Sequence, residues 1–218
     1  VSMWQKYFDK LFPYSPPAGA PGTLQTSLDY SGNGNHLTLG ATTGASTDDP
    51  AFTGTAWSFD GGDFLLTPDF GNGDLTAYTV FKFNETITGV APGVWGRNNI
   101  GLNFVAGSNS LDFLYRDAAS NTSKYLRITP LSRNTWYLAV CRASATGFWA
   151  FSITGIGALS ASGFTLKSDF TTYGNYVGKE YTYPMEGLIA YHALYNWVHP
   201  DNLAMLCRNT IKGLMALR

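Results

Sequence analysis

Chemistry in a protein needs side chains that ionise, bind metal or attack, and this chain holds few of them in useful patterns. Its three glutamates are Glu85, Glu180 and Glu186, and none has an acidic neighbour two residues on. A retaining glycoside hydrolase needs two carboxylates about 5.5 Å apart. An E-x-D-x-x-E strand would supply them, and that pattern is absent. No G-x-S-x-G elbow marks a nucleophilic serine, and no glycine-rich loop ends in G-K-[ST] to cradle phosphate. His36, His192 and His199 lie far apart, without metal-ligand spacing. His192 falls within an apolar strand, where a satisfied, half-buried imidazole is expected, and His199 reads as a helix-start residue. Cys141 sits mid-strand among apolar residues, a setting that raises a thiol's pKa and makes it inert. Cys141 and Cys207 read as buried free thiols, although sequence alone leaves a bridge between them open.

Two binding chemistries remain. Calcium wants several oxygens from carboxylates, amides and carbonyls. The acidic loop clusters are Asp48-Asp49, Asp60-Gly-Gly-Asp63 and Asp69 to Asp74. Of these, Asp60 and Asp63 are the favoured metal pair, with ordinary turn usage as the competing reading. Saccharides are commonly held by an aromatic face beside polar groups, since the ring packs on the apolar face of a sugar. The segment 173–183, YGNYVGKEYTY, nominates Tyr173, Tyr176, Tyr181 and Tyr183, with Trp95 and Trp149 as secondary candidates. Tyrosine suits a subunit contact equally well.

These side chains need a scaffold. The chain has 218 residues, 44% hydrophobic, 15% aromatic and only 13% charged. One large all-β domain fits that length, and such a chain buries a core without disulfides or metals. A net charge of −1 argues against a nucleic-acid partner, which requires a basic footprint. No apolar run approaches a membrane-spanning helix, and nothing at the N-terminus reads as a signal peptide.

Residues 1–22 differ from the rest. Ser2 and Gln5 form a capping box. Met3, Trp4, Tyr7, Phe8, Leu11 and Phe12 recur at helical spacing, and a Pro/Gly-rich linker follows over 13–22. The expected organisation is a docking arm over 1–22 and a β-sandwich over 23–218. An alternative folds the arm's helix back onto the sandwich. Within the sandwich, Ala56 to Phe59 and Phe64 to Leu66 flank an Asp-Gly turn and predict a hairpin. Residues 76–84 alternate with apolar side chains on both faces and predict a central strand. Further strands are expected near 101–106, 111–116, 124–129, 135–142, 147–154 and 187–195. A helix should start at Pro200 and end near Gly213. Many short strands at this spacing indicate a sandwich or jelly roll.

Several motifs, in order, resemble laminin-G-like, concanavalin A-like lectin domains. Asp29-Tyr30-Ser31-Gly32-Asn33-Gly34-Asn35-His36 resembles that family's opening turn, and Trp57-Ser58-Phe59-Asp60-Gly61 the strand and turn after it. Tyr78-Thr79-Val80-Phe81, Thr135-Trp136-Tyr137-Leu138-Ala139-Val140, and Glu186-Gly187-Leu188-Ile189-Ala190 through Leu194-Tyr195-Asn196 are similar to later strands. The tryptophan expected after Phe81 is missing. Trp57, Phe59 and Trp136 are expected in the core. The resemblance implies an all-β, two-sheet antiparallel jelly roll closed by a short C-terminal helix, often carrying calcium and often binding carbohydrate or protein, and the helical spacing over 2–12 adds a short N-terminal helix. Such domains also serve as decoration, tail or adhesion modules of phage particles.

The expected function is therefore non-catalytic: a lectin-like module at a virion surface or in an extracellular setting. It would attach through its arm to a capsid protein, a tail protein or sister subunits in a homo-oligomer, and bind surface glycans. The alternatives are a decoration protein without a small ligand, a carbohydrate-binding module with no assembly role and, least supported, a hydrolase on the same fold.

Overall fold

The computed structural model describes residues 25–27, 35–42, 44–68, 73–84, 92–97, 100–145, 147–163, 165–166, 175–180 and 183–216. The N-terminal helix and linker, and most of the motif at Asp29 to Asn35, lie outside these residues.

The described chain runs through seventeen strands and one helix. In order the strands are β1 (Thr26–Ser27), β2 (Leu37–Leu39), β3 (Ala51–Phe52), β4 (Trp57–Asp60), β5 (Leu65–Leu66), β6 (Leu75–Phe83), β7 (Gly93–Arg97), β8 (Ile100–Phe104) and β9 (Leu111–Arg116). Then come β10 (Ser123–Ile128), β11 (Tyr137–Ala143), β12 (Phe148–Ile153), β13 (Gly157–Ser162), β14 (Tyr176–Val177), β15 (Lys179–Glu180), β16 (Tyr183–Pro184) and β17 (Glu186–Tyr195). The C-terminal helix spans Asp201–Ala216. Two sheets pack face to face, eight strands in the order β1-β2-β5-β14-β7-β8-β9-β10 and seven in the order β13-β12-β11-β6-β17-β4-β3. All pairings are antiparallel, so the fold is the two-sheet β-sandwich expected from the period-two patterning.

Alternation explains the layers. In β6, Leu75, Ala77, Phe81 and Phe83 point into the space between the sheets, where Phe104, Phe113, Trp149 and Phe151 meet them. The intervening Tyr78 and Val80 point outward, yet they too are buried, because Leu138, Val140 and the helix residues Cys207 and Ile211 pack there. A strand apolar on both faces needs cover on both faces, and the C-terminal helix provides the second. Its start is stitched down by Arg142, which donates to the His199 carbonyl at 2.9 Å and pairs with Asp201 at 2.6 Å. Tyr78 Oη and His199 Nδ1 share a hydrogen bond of 2.8 Å.

β17 contains a bulge between Ile189 and Tyr191. Ile189 faces the inter-sheet core, Ala190 and Tyr191 both lie on the helix side, and His192 turns inward opposite Thr79. Without the extra residue, parity would place His192 under the helix. At the start of the same strand Gly187 has φ +155°, and a Cβ there would sit 2.3 Å from the Lys82 carbonyl oxygen, so the close approach of β17 to β6 requires glycine.

Three expectations are corrected, and one further strand is found. The Asp60–Asp63 turn closes no hairpin: β4 pairs with β3 and β17 in one sheet, while β5 pairs with β2 and β14 in the other. The turn is a corner that carries the chain between layers. Trp136 is 37% exposed, outside the core, with Lys82 Nζ 5.4 Å from its ring centre. Tyr137 points into the core, so the residue before it projects outward. The helix continues through Gly213 to Ala216, since a single glycine weakens a helix by only about 1 kcal/mol. β13, which the sequence pattern does not mark, forms the outermost strand of the seven-stranded sheet. Trp57 and Phe59 are core residues as expected, and Cys141 and Cys207 are both free and buried.

Candidate functional site

A pocket between the sheets, lined by Leu37, Trp57, Leu65, Val177, Ile189 and His192, measures about 10 Å³, enough for roughly one water. Among the described residues, the broad outer faces of the two sheets offer larger surfaces for recognition. The helix occupies the middle of one of them, which leaves the outer face of the eight-stranded sheet.

Register assembles that face from distant parts of the chain. Val177, Trp95, Leu102, Phe113 and Leu126 point into the core, so Tyr176, Gly96, Gly101, Leu114 and Tyr125 project the other way. Pairing lines them up: Leu66 opposite Tyr176, Tyr176 opposite Gly96, Gly96 opposite Gly101, Gly101 opposite Leu114, and Leu114 opposite Tyr125. The result is one row across six strands. Its middle is formed by Gly96 and Gly101, with Tyr176 on one side and Leu114 and Tyr125 on the other. Three strand spacings separate Tyr176 from Leu114, about 14 Å, the length scale of a short oligosaccharide. The glycine floor is buried, while the lip at Tyr125 is 55% exposed and that at Leu66 36%.

A parallel row is polar. Gly93 pairs with Asn103, Asn103 with Asp112, and Asp112 with Arg127. Arg127 grips Asp112 with two hydrogen bonds of 2.8 Å, a fork-to-fork pair that fixes both side chains. Asp112 holds the guanidinium proton more firmly than usual. The Arg127 guanidinium also lies 4.7 Å from the Tyr125 ring centre and orients that ring. Asn103 is buried, and its Oδ1 accepts no hydrogen bond. At the opposite lip, Phe64 meets Tyr176 edge-on at 5.2 Å, and Lys179 Nζ sits 4.2 Å from the Phe64 ring centre and 5.0 Å from that of Tyr176. An aromatic and glycine row beside ordered donors and acceptors can stack on a sugar ring and hydrogen-bond its hydroxyls.

Of the residues nominated from sequence, Tyr176 forms one lip of the trough, and Tyr183 in β16 is 39% exposed. Tyr173 and Tyr181 lie outside the described residues, as do Met3, Trp4, Tyr7, Phe8, Leu11 and Phe12. Trp95 and Trp149 are corrected. They are 1% and 3% exposed and point into the core, Trp95 beside Phe113 and His192 and Trp149 edge-on to Tyr115 at 3.9 Å. Neither can serve as a surface platform. Gly93, Gly96, Gly101, Asn103, Asp112, Leu114, Tyr125 and Arg127 were not nominated. The available signal was the alternation in L-D-F-L-Y-R and S-K-Y-L-R-I, which sets Asp112, Leu114, Tyr125 and Arg127 on the face opposite the apolar residues.

Asp60 and Asp63 do come together. The Asp60 amide donates to Asp63 Oδ2 at 2.9 Å, and the Gly62 amide to Asp60 Oδ1 at 2.9 Å. Burial pushes the Asp63 carboxyl up to about 6, with the charges of Asp60 and Asp49 adding to it. Asp48 and Asp49 likewise accept from the amides of Ala41 and Ser46 at 2.8 Å. These oxygens bind their own loop. Among the described residues no group of three or more His, Cys, Asp or Glu is placed to hold a metal ion, whereas calcium takes about 6–8 oxygens.

No protein-family model matches the chain, and no curated protein matches it in sequence. Solved structures do match its fold. The receptor-binding domain of botulinum neurotoxin D aligns with a TM-score of 0.58 at 12% identity, over 85% of this chain and 50% of that one. The ligand-binding domain of botulinum neurotoxin serotype D in complex with N-acetylneuraminic acid gives 0.58 at 12%, over 85% and 48%. Domain 4 of AbnA, a GH43 extracellular arabinanase from Geobacillus stearothermophilus, in complex with arabinotriose, gives 0.58 at 15%, over 82% and 91%. The chain spans about half the length of the neurotoxin domains it matches. At these identities the likeness establishes a shared β-sandwich fold.

Proposed function

We propose that this chain is a non-catalytic carbohydrate-binding module whose site is the outer face of the eight-stranded sheet. The observation that carries the reading is the row Tyr176–Gly96–Gly101–Leu114–Tyr125 running beside the Asp112–Arg127 pair. The exposed Tyr125 at one end of the row and Tyr176 at the other would stack on a sugar, and Arg127 beside Tyr125 would read its hydroxyls. Two structures of the same fold are complexes with saccharides, arabinotriose and N-acetylneuraminic acid, which supports the reading.

The test is titration of the full chain against arabinotriose and N-acetylneuraminic acid, followed by a broad glycan array, each with calcium and with chelator. Binding should be independent of calcium. Tyr125→Ala and Tyr176→Ala should each weaken it at least about tenfold, ~1.4 kcal/mol, with the melting temperature little changed. No binding to any saccharide would leave a structural decoration role in its place.

The biological setting we propose is a virion surface or another extracellular surface. There the 1–22 arm, through Met3, Trp4, Tyr7, Phe8, Leu11 and Phe12, docks the sandwich onto a capsid or tail protein. An aromatic helix of this length is marginal alone, and a partner groove would cover its face.

A further inference from the structure

Sheet edges are where strands recruit other strands, and natural edges are blunted by shortness, charge, proline or bulges. The two large sheets have four edges among the described residues. β1 and β3 are two residues each, and β10 carries Lys124 and Arg127. β13 has none of these defences. It is six residues long, reads Gly-Ala-Leu-Ser-Ala-Ser, and pairs with β12 from Ser162 to Gly157 without a bulge. No described strand pairs with its outer side.

Its side chains are sorted by face. Gly157, Leu159 and Ala161 lie opposite Ile153, Phe151 and Trp149, which face the core, so these three are on the inner side. Ala158, Ser160 and Ser162 are on the outer side. Leu159 is nevertheless 41% exposed, an inward-facing leucine that a single sandwich leaves partly uncovered.

We propose that β13 is a self-association edge, along which two copies of this chain pair antiparallel about a two-fold axis through Leu159 and join their seven-stranded sheets into one. With the axis there, Leu159 meets its own copy, Gly157 faces Ala161 and Ala158 faces Ser160. Every inner pair is apolar and every outer pair is small, so the strand is its own complement, as an isologous contact requires. No charge opposes a like charge across the axis, whereas pairing β10 with itself would bring lysine and arginine together. A slip of one residue would set Leu159 against an outer-face residue, and a slip of two would set it against Gly157 or Ala161 and lose the leucine pair. The inference stands on the edge strand alone and does not depend on saccharide binding.

The experiment uses the full chain. Residues opposite each other in an antiparallel pair have Cα atoms about 4.5–5.5 Å apart, within the roughly 4.4–6.8 Å that a disulfide spans. Leu159→Cys should therefore link two chains rapidly under mild oxidation. Ile156→Cys, equally exposed but beyond the strand, should not. The native Cys141 and Cys207 are buried, so the wild type is the blank. Leu159→Lys should convert a dimer seen by sedimentation into a monomer while the melting curve stays cooperative. A wild type that is monomeric up to its solubility limit overturns the proposal. So does a dimer that Leu159→Lys leaves intact, or linkage no faster at residue 159 than at 156.

Discussion

An imidazole between two apolar sheets is an awkward group, and His192 is accommodated by one hydrogen bond. Its Nδ1 lies 3.0 Å from Thr79 Oγ1, and its ring is 6.0 Å from that of Trp95. Burial lowers its pKa to about 4, and burial followed by the Arg142 charge does the same for His199. A histidine whose pKa falls on folding adds stability above its unfolded value near 6.5, and that contribution is lost as pH drops from there through 4. Asp63 works in the opposite sense: its pKa rises to about 6 on folding, so it opposes folding less as the solution is acidified. The net prediction is a melting temperature that falls between pH 6.5 and pH 4, less steeply in His192→Gln. An identical slope in the two proteins would show that His192 titrates freely in the folded state. Sequence placed His192 correctly as a satisfied, half-buried strand residue. It could not show which face the ring takes, because that depends on the bulge at Ala190, and nothing in G-L-I-A-Y-H-A-L-Y marks the extra residue.

At the scale of elements, existence was legible and pairing was not. Alternation marked β6, β9, β10, β11 and β12, and the hairpin of β11 with β12 forms as expected. The Asp60–Asp63 turn shows the limit: Asp-Gly signals that the chain turns, but not which sheet the next strand joins. The trough is lost to sequence for the same reason. Tyr125 reaches Gly96 only through β9 and β8, and no local pattern encodes a row across strands. Trp95, a secondary saccharide candidate from its residue type, sits between Gly93 and Gly96, which lie on the outer face while its indole turns into the core. The C-terminal helix was legible from Pro200 and its apolar spacing, and its role follows from what it covers. Ile211→Ala should cost about 2–5 kcal/mol, measured by chemical denaturation, because it opens a void against Tyr78, Val80 and Val140. A loss under about 0.5 kcal/mol would mean that the helix is not docked there in solution.

For the molecule as a whole, the open question is attachment. If residues 1–22 are a docking arm, deleting them should leave the sandwich with its cooperative melt and its saccharide affinity, and abolish only co-assembly with the partner. A truncated chain that aggregates or unfolds would mean instead that the arm's aromatic face completes the sandwich. The helix laid across the seven-stranded sheet has a further consequence. It gives the domain a back and a front, because one broad face is covered by the helix and the other carries the row from Tyr176 to Tyr125. Strands joined edge to edge share one plane, so a pair formed along β13 would turn both fronts to the same side. Such a pair cannot bridge two cells or two particles. It would lie flat on one surface, and if each front holds a sugar as proposed, two weak grips a fixed distance apart would act as one strong one, so that the spacing of the sugars, more than their identity, would decide what is held.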